Sequence, residues 1–276
     1  EWQRRLSEAG WAGIMFPTEY GGRGGTAMQE LVFAQEVADF GVSSGAFAVS
    51  RTMVGPAIVA FGTDEQKRRH LPAMFDGREI WCQLFSEPGS GSDLASITTR
   101  AELDGDEWLV NGQKVWTSSA EHSDWGILLA RTDPSAHRHR GITYFLLDMA
   151  TSGIEIRPLR QMTGQAHFSE GFLTDVRGPA ANVLGGPTCV HDGWRAAMHT
   201  LSNERAMIGA ASSDEDLQGL GELARAHGVI DEPVVRQGIA AAHVRSGILR
   251  FLGYRLQTAI SQGREPGPET SVLKLF

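Results

Sequence analysis

The spacing of apolar residues changes twice along this chain, and that change limits the folds it can adopt. Up to residue 79 the pattern is helical, from 80 to 184 short β-rich runs take over, and from 185 the helical period returns. Strands and helices do not alternate, which argues against a doubly wound sheet. We therefore predict an α+β fold with an N-terminal helical domain (1–79), a middle β-barrel domain (80–184) and an incomplete C-terminal helical domain (185–276).

Local signals place several elements within this frame. Thr63-Asp64-Glu65-Gln66 is a capping box that predicts a helix, which Pro72 should end. Asn111-Gly112 between two β-rich runs predicts a hairpin turn. Asp231-Glu232-Pro233 predicts the start of a long helix that ends at Gly263.

Composition and charge narrow the class of protein. The chain has 25 Lys and Arg against 33 Asp and Glu among 276 residues, for a formal charge of −8, and its basic residues are scattered, so nucleic acid is not a predicted partner. No apolar run is long enough to span a membrane. Cys82 and Cys189 form no zinc or disulfide pattern, which predicts a cytoplasmic protein. Because the sequence starts at Glu1 and ends in an apolar stretch, we expect it to be part of a longer protein.

Three motifs resemble functional sites but lack the required context. Gly219 to Ala224 matches a dinucleotide fingerprint without a preceding strand. Gly41 to Gly45 matches a nucleophile elbow but follows a helical pattern, so a hydrolase built on Ser43 is the least favoured alternative, to be tested by an esterase assay. His137-Arg138-His139 lacks metal-ligand spacing and predicts an exposed loop, and we predict no metal site.

Two segments carry a pattern suited to a ligand. Gln83 to Asp93 runs from a strand into a turn rich in glycine and hydroxyls, where backbone amides can approach a ligand closely. Lys114 to Ser118 then places an aromatic ring and two hydroxyls on a strand. Taken singly, the first segment is typical of a β-turn and Trp116 of a core residue.

Together, and in this order, the two segments resemble the middle domain of the acyl-CoA dehydrogenase family. Further matches are Phe16 to Gly22, Phe61 to Lys67 and Ala130-Arg131-Thr132, so the resemblance runs from Trp11 onward. It implies a flavoprotein with FAD between the β-domain and the C-terminal helices. The residues implied at the cofactor are Phe85, Ser86, Gly91, Ser92, Trp116 and Ser118, with Ser92 also near the acyl-CoA.

The family's reaction removes two hydrogens across the α and β carbons of an acyl-CoA thioester. It needs a carboxylate to take the α proton while flavin N5 receives the β hydride. Leu201-Ser202-Asn203-Glu204-Arg205 is similar to the subset whose base precedes an Arg on the first helix after the β-domain. The resemblance therefore implies Glu204 as the catalytic base and Arg205 as a substrate-binding residue, whereas helical position alone is typical of a solvated carboxylate.

The implied partners are an acyl-CoA substrate and an electron-transfer flavoprotein, in a homo- or hetero-oligomer (dimer or tetramer). The family's terminal helices are absent from the sequence, and Arg225-Ala226-His227-Gly228 stands where the family has an Arg shortly before Phe-Gly. A non-catalytic or half-site subunit of a hetero-oligomer is therefore one alternative, and a flavin oxidase on the same fold is another. Straight-chain, branched and steroid-side-chain thioesters all remain open, because apolar pockets discriminate weakly between chain lengths.

Overall fold

The structure, a computed structural model, describes residues 1–38, 40, 42, 45–209, 214–264, 271–272 and 275. Helices form its N-terminal part: α1 (Trp2–Glu8), α2 (Ala27–Ala38), α3 (Phe47–Val49), a π-helical turn (Ser50–Val54), α4 (Gly55–Phe61) and α5 (Asp64–Asp76). Seven strands follow: β1 (Trp81–Leu84), β2 (Arg100–Asp104), β3 (Glu107–Ser118), β4 (Trp125–Arg131), β5 (Ile142–Asp148), β6 (Ile154–Leu159) and β7 (Phe168–Pro179). The last helices are α6 (Gly193–Gly209), α7 (Asp214–Ala226) and α8 (Pro233–Ser261).

The strands form one seven-stranded sheet in the order β1-β4-β2-β3-β7-β6, with β5 paired to β4. β4 runs parallel to β1 and β2, and the other pairs are antiparallel. The predicted order of helices, strands and helices is confirmed. In the part of the chain that the structure describes, no helix is both long and apolar enough to cross a membrane.

The chain divides into two compact units. The first holds residues 1–25 and 34–201, and the second holds 26–33 and 202–276. The sequence-based boundaries after residues 79 and 184 stay a prediction. Cys82 and Cys189 are both free thiols.

Strand β4 explains why the core of the first unit has two layers. Ile127 and Leu129 face a cluster that includes helical residues such as Leu71 and Phe75. Leu128 and Ala130, on the opposite face, join a second cluster formed with β2, β3, β5 and β7. Because successive side chains of a strand point to opposite faces, a strand buried on both sides reads as an unbroken apolar run.

Helix α5 starts as predicted and ends later than predicted. Thr63 Oγ1 accepts from Gln66 N at 3.2 Å, and Gln66 Oε1 accepts from Thr63 N at 3.0 Å, so the capping box is confirmed. The prediction that Pro72 ends the helix is wrong, because α5 continues to Asp76. Burial of Leu71, Met74 and Phe75, each worth about 1.5–3 kcal/mol, outweighs the roughly 3 kcal/mol that an internal proline costs.

The Gln66 amide also joins α5 to the segment that follows β7. Its Nε2 donates to Val183 O at 2.8 Å and Ala181 O at 3.0 Å, and its Oε1 accepts from Gly185 N at 3.1 Å. With the bond from Thr63 N, both donors and both acceptor positions of the amide are used. One side chain thus connects the helical region to a segment more than a hundred residues away.

We expect Gln66→Leu to lower the free energy of unfolding of the first unit by about 2–4 kcal/mol, because it leaves buried carbonyl and amide groups unpaired. Denaturant unfolding measures the change. Gln165→Leu, at an exposed position, is the control and should change stability little. Equal losses in the two variants would contradict this role of Gln66.

The Asn111-Gly112 pair is not a hairpin turn, so that prediction is wrong. β3 runs through both residues, and the β2–β3 turn lies at Gly105, where φ is +68°. The Asn111 amide instead pairs with Asp175 on β7, beside a register shift in the β3–β7 ladder. A Cβ on Gly112 would lie 2.7 Å from Thr99 Cα, so the glycine permits a close approach of two backbones.

Substitution tests this close approach. Gly112→Ala should destabilise the first unit by about 1–3 kcal/mol, because Thr99 must move to admit the methyl group. Gly178→Ala on β7, whose Cβ would meet nothing within 4 Å, is the matched control and should be neutral or slightly stabilising. Thermal unfolding of both variants compares the two positions.

The remaining sequence motifs lie on α7, on α8 and in the loop between β4 and β5. Helix α8 begins at Pro233 and ends just before Gly263, as predicted. Gly219 to Ala224 lies inside α7, which excludes the strand, turn and helix of a dinucleotide site. His137 and His139 lie in the exposed loop between β4 and β5. Ser43 lies outside the described residues.

Candidate active site

The segment after β1 forms one wall of the candidate site. Phe85 is 2% exposed, and its ring meets the ring of Tyr144 edge-on at 5.8 Å. Ser86 is half-buried, and its carbonyl oxygen accepts from Val115 N at 2.9 Å, which places it against β3. Gly91 and Ser92 are exposed, in the turn that follows.

The second wall of the candidate site is the end of β3, where a β-bulge turns the side chain of Trp116 outward. The β3–β7 register shifts between Lys114 and Thr117, and Lys114 and Val115 are both buried. Trp116, with φ at +61°, is 59% exposed. The left-handed region is unusual for a bulky residue and marks a locally constrained backbone. Alternation resumes after the bulge, so Trp116 and Ser118 lie on the same face of the strand.

A buried ion pair lies behind both walls. Lys114 is fully buried and Glu87 is 5% exposed. Lys114 Nζ donates to Glu87 Oε1 at 2.8 Å and to Phe85 O at 3.1 Å. Glu87 also accepts from Thr99 N at 3.0 Å, from Thr98 N at 2.6 Å and from Thr98 Oγ1 at 2.7 Å. The carboxylate therefore has four donors, as a buried charge requires.

These contacts shift both acid–base equilibria. Burial raises the pKa of Glu87, but the charge of Lys114 and the four hydrogen bonds lower it more, to about 2. Burial lowers the pKa of Lys114 to about 8, against the attraction of Glu87. Both groups are therefore charged at neutral pH.

Removal of one partner should be costly. We expect Glu87→Gln and Lys114→Met each to lower the free energy of unfolding by about 3–5 kcal/mol, because each leaves an uncompensated buried charge. The double substitution should cost less than the sum of the two. Urea unfolding of the four proteins measures the coupling, and additive losses would contradict it.

The pair also predicts an acid dependence. Since the folded pKa of Glu87 lies below its ordinary value of 4.5, its stabilisation is complete above pH 4.5 and is lost as pH falls toward 2. The difference in stability between wild type and Glu87→Gln should therefore shrink through this range. A difference that stays constant from pH 6 to pH 2 would contradict the pKa assignment.

Arg131 holds the C-terminal part of the loop that contains Gly91 and Ser92. Its Nη2 donates to Ala95 O at 2.7 Å and its Nε to Ile97 O at 3.3 Å, while its backbone N donates to Thr99 O at 2.7 Å. The loop is thus fixed to β4 on one side and to the ion pair on the other.

Glu204 and Arg205 lie on α6 and are half-buried. This helix is anchored one turn earlier, where Thr200, fully buried, lies 3.1 Å from the hydroxyl of Tyr144 on β5. Both predicted residues belong to the second compact unit, and the six predicted cofactor residues belong to the first. The structure brings Phe85, Ser86 and the bulge of β3 together through backbone and ion-pair contacts. The roles of all eight residues stay predictions.

The first-unit residues fit a flavin. An isoalloxazine is flat and forms hydrogen bonds along its edges. Trp116 offers an exposed aromatic ring, Ser118 lies two positions further along the same strand, and Ser86 is joined to the neighbouring Val115 by a backbone hydrogen bond. Phe85 and the ion pair close the surface from behind. Among the residues that the structure describes, no cluster of His, Cys, Asp or Glu could hold a metal ion.

Sequence reasoning missed Glu87, Lys114 and Arg131 as positioning residues. One signal was present, because alternation in β3 puts Lys114 on the same face as Trp108 and Val110, both buried. A lysine at an inward position predicts a buried carboxylate, because a buried charge is costly unless it is paired. The identity of that carboxylate depends on a contact between residues 27 positions apart, which local pattern does not reveal.

Comparison with known proteins adds to this geometry. Three family models match the chain: acyl-CoA dehydrogenase N-terminal domain at residues 1–78, middle domain at 82–176 and C-terminal domain at 191–276. The acyl-CoA dehydrogenase IpdE1 of Mycobacterium tuberculosis is 41% identical over 278 residues, which cover 100% of this chain and 71% of that protein.

Two solved structures are also similar. The steroid ACAD Tcur3481–Tcur3483 has a TM-score of 0.88 at 31% identity, and the match covers 99% of this chain and 70% of that one. The ChsE4–ChsE5 complex from Mycobacterium tuberculosis has a TM-score of 0.83 at 33% identity, and the match covers 99% and 71%.

Proposed function

Because this chain belongs to the acyl-CoA dehydrogenase family, as the sequence resemblance predicted, we propose that it dehydrogenates an acyl-CoA thioester between its α and β carbons. Members of this family use FAD. The observation that carries the proposal is the exposed Trp116, which follows the Val115 amide that is bonded to Ser86 O and lies in the β3 bulge on the family's middle domain. An exposed tryptophan with a left-handed φ suggests a ligand-binding surface.

Glu204 is the proposed base. Its carboxylate takes the α proton of the thioester, so that a C–H bond breaks and an O–H bond forms on Glu204. Bound FAD supplies the acceptor for the β hydride, at flavin N5. Support for Glu204 comes from its place immediately before Arg205 on the first helix after the sheet.

The other proposed site residues bind and orient the flavin and the acyl-CoA. Trp116 would bound the flavin ring system, with Phe85 buried beneath that surface, and the hydroxyl groups of Ser86 and Ser118 would be donors for the edge of the flavin. Gly91 and Ser92 lie in an exposed turn where backbone amides and a hydroxyl can reach the cofactor or the thioester. Arg205 binds the acyl-CoA.

Two features of the relatives guide the choice of substrate and partner. One similar structure is described as a steroid ACAD, which supports a bulky, steroid-derived acyl group as the first substrate to test. Another is a complex of two named chains, which favours a second candidate, in which this chain supplies half of a site completed by a sister subunit. An electron-transfer flavoprotein is the proposed electron acceptor.

The visible spectrum of the purified chain, followed by anaerobic addition of acyl-CoA thioesters, tests the reaction. A yellow protein bleached by a steroid-derived, branched or straight-chain thioester supports the proposal and identifies the substrate class. A chain that stays colourless with added FAD, and gains flavin only with a sister subunit, favours the half-site candidate. Reoxidation by oxygen with formation of hydrogen peroxide would favour an oxidase.

Glu204→Gln tests the base. We expect turnover to fall by about 10²–10⁴-fold while FAD binding is retained, because only the proton acceptor is lost. Glu222→Gln on α7, at an exposed position of the same unit, is the matched control and should keep wild-type turnover. Normal turnover by the Glu204 variant would exclude Glu204 as the base.

A further inference from the structure

The candidate site consists of three segments, Phe85–Ser86, Gly91–Ser92 and Trp116, and all three are held by the same buried ion pair, Glu87–Lys114. The ammonium group of Lys114 holds the carbonyl of Phe85, where the first wall begins. The same residue lies two positions before Trp116, at the start of the bulge that forms the second wall. The same ammonium group also donates to the carboxylate of Glu87, which belongs to the loop that carries Gly91 and Ser92.

Glu87 also closes the loop that carries Gly91 and Ser92. It stands at the start of this loop, and its carboxylate accepts from the backbone amides of Thr98 and Thr99 at the loop's end. The backbone hydrogen bonds between Glu87 and Ser90 tighten the first turn. One carboxylate therefore sets the distance between the two ends of the loop, independently of the residues at its tip.

We propose that the buried Glu87–Lys114 ion pair is the positioning device of the cofactor surface, holding Phe85–Ser86, Gly91–Ser92 and Trp116 in the relative arrangement that binds FAD. The inference rests on the proposed function in that these segments must contact the flavin. Neither Glu87 nor Lys114 is exposed enough to touch a ligand, so both act through the residues they hold.

The directional character of the pair supports a positioning role. Glu87 accepts from two backbone amides and Lys114 donates to one backbone carbonyl, and such bonds fix distances that apolar packing leaves adjustable. Small displacements in a binding surface are costly, since a site that is loose by about 1 Å loses much of its function. The pair thus controls geometry in addition to its effect on stability.

A matched buried carboxylate separates positioning from stability. Glu79 is also 5% exposed and is paired, with His70 at 3.0 Å and with Arg69, but it lies outside the candidate site. Glu87→Gln and Glu79→Gln make the same chemical change in the same compact unit. Only the first acts on the three site segments.

The experiment titrates FAD into the purified wild-type and variant chains, in the presence of a sister subunit if the wild type requires one. It records the dissociation constant and the visible circular dichroism of bound flavin. We expect Glu87→Gln to weaken FAD binding roughly tenfold or more and to change the flavin dichroism. Glu79→Gln should bind FAD within about twofold of wild type, with an unchanged dichroism spectrum.

A milder variant keeps the test informative if Glu87→Gln does not fold. Thr98→Val removes only the hydroxyl donor to Glu87, from an exposed residue, and should weaken FAD binding by a smaller factor with the same change in dichroism. Wild-type affinity and dichroism in both site variants, or equal losses in Glu79→Gln, would overturn the inference and leave the proposed function intact. A wild-type protein that never binds FAD would overturn both.

Discussion

The charged pair in the middle of the sheet imposes the strictest physical requirement on this structure. A lysine and a glutamate without water must satisfy each other and every remaining donor and acceptor, or the folded state loses several kcal/mol. The chain meets that requirement with two backbone amides and a hydroxyl from Thr98 and Thr99 and with the carbonyl of Phe85. The conformations of the turn after β1, of the end of the loop and of the β3 bulge are therefore determined together.

Much of the fold could be predicted because its main signals are local. The change of apolar period gave the order of helices and strands, and the capping box at Thr63 gave the start of α5. The two local errors have the same kind of cause. Pro72 and Asn111-Gly112 are turn signals in isolation, but core packing carries α5 past the proline, and contacts with Thr99 and Asp175 give Asn-Gly a place inside a strand.

The candidate site was predictable in part. Residue type and spacing, read with the family resemblance, indicated Trp116, Ser118 and the segment from Phe85 to Ser92. The outward direction of Trp116 was not predictable, since it depends on a register shift against β7. The pairing of Glu87 with Lys114 is also non-local. Glu204 differs from both cases, because its assignment rests on its position next to Arg205 and needs the substitution experiment.

The Gln66 amide has a consequence for the order of events during synthesis. Its carbonyl partner at Val183 is made 117 residues later, which at 5–20 residues per second means a delay of roughly ten seconds on the ribosome. The sheet residues that pack on the apolar face formed by Leu71, Met74 and Phe75, among them Ile127 and Leu129 of β4, are also made after α5 but well before Val183. The apolar face of α5 can therefore be covered by the sheet before the Gln66 amide finds its last partners, so this amide joins the helical region to the segment after β7 late in synthesis.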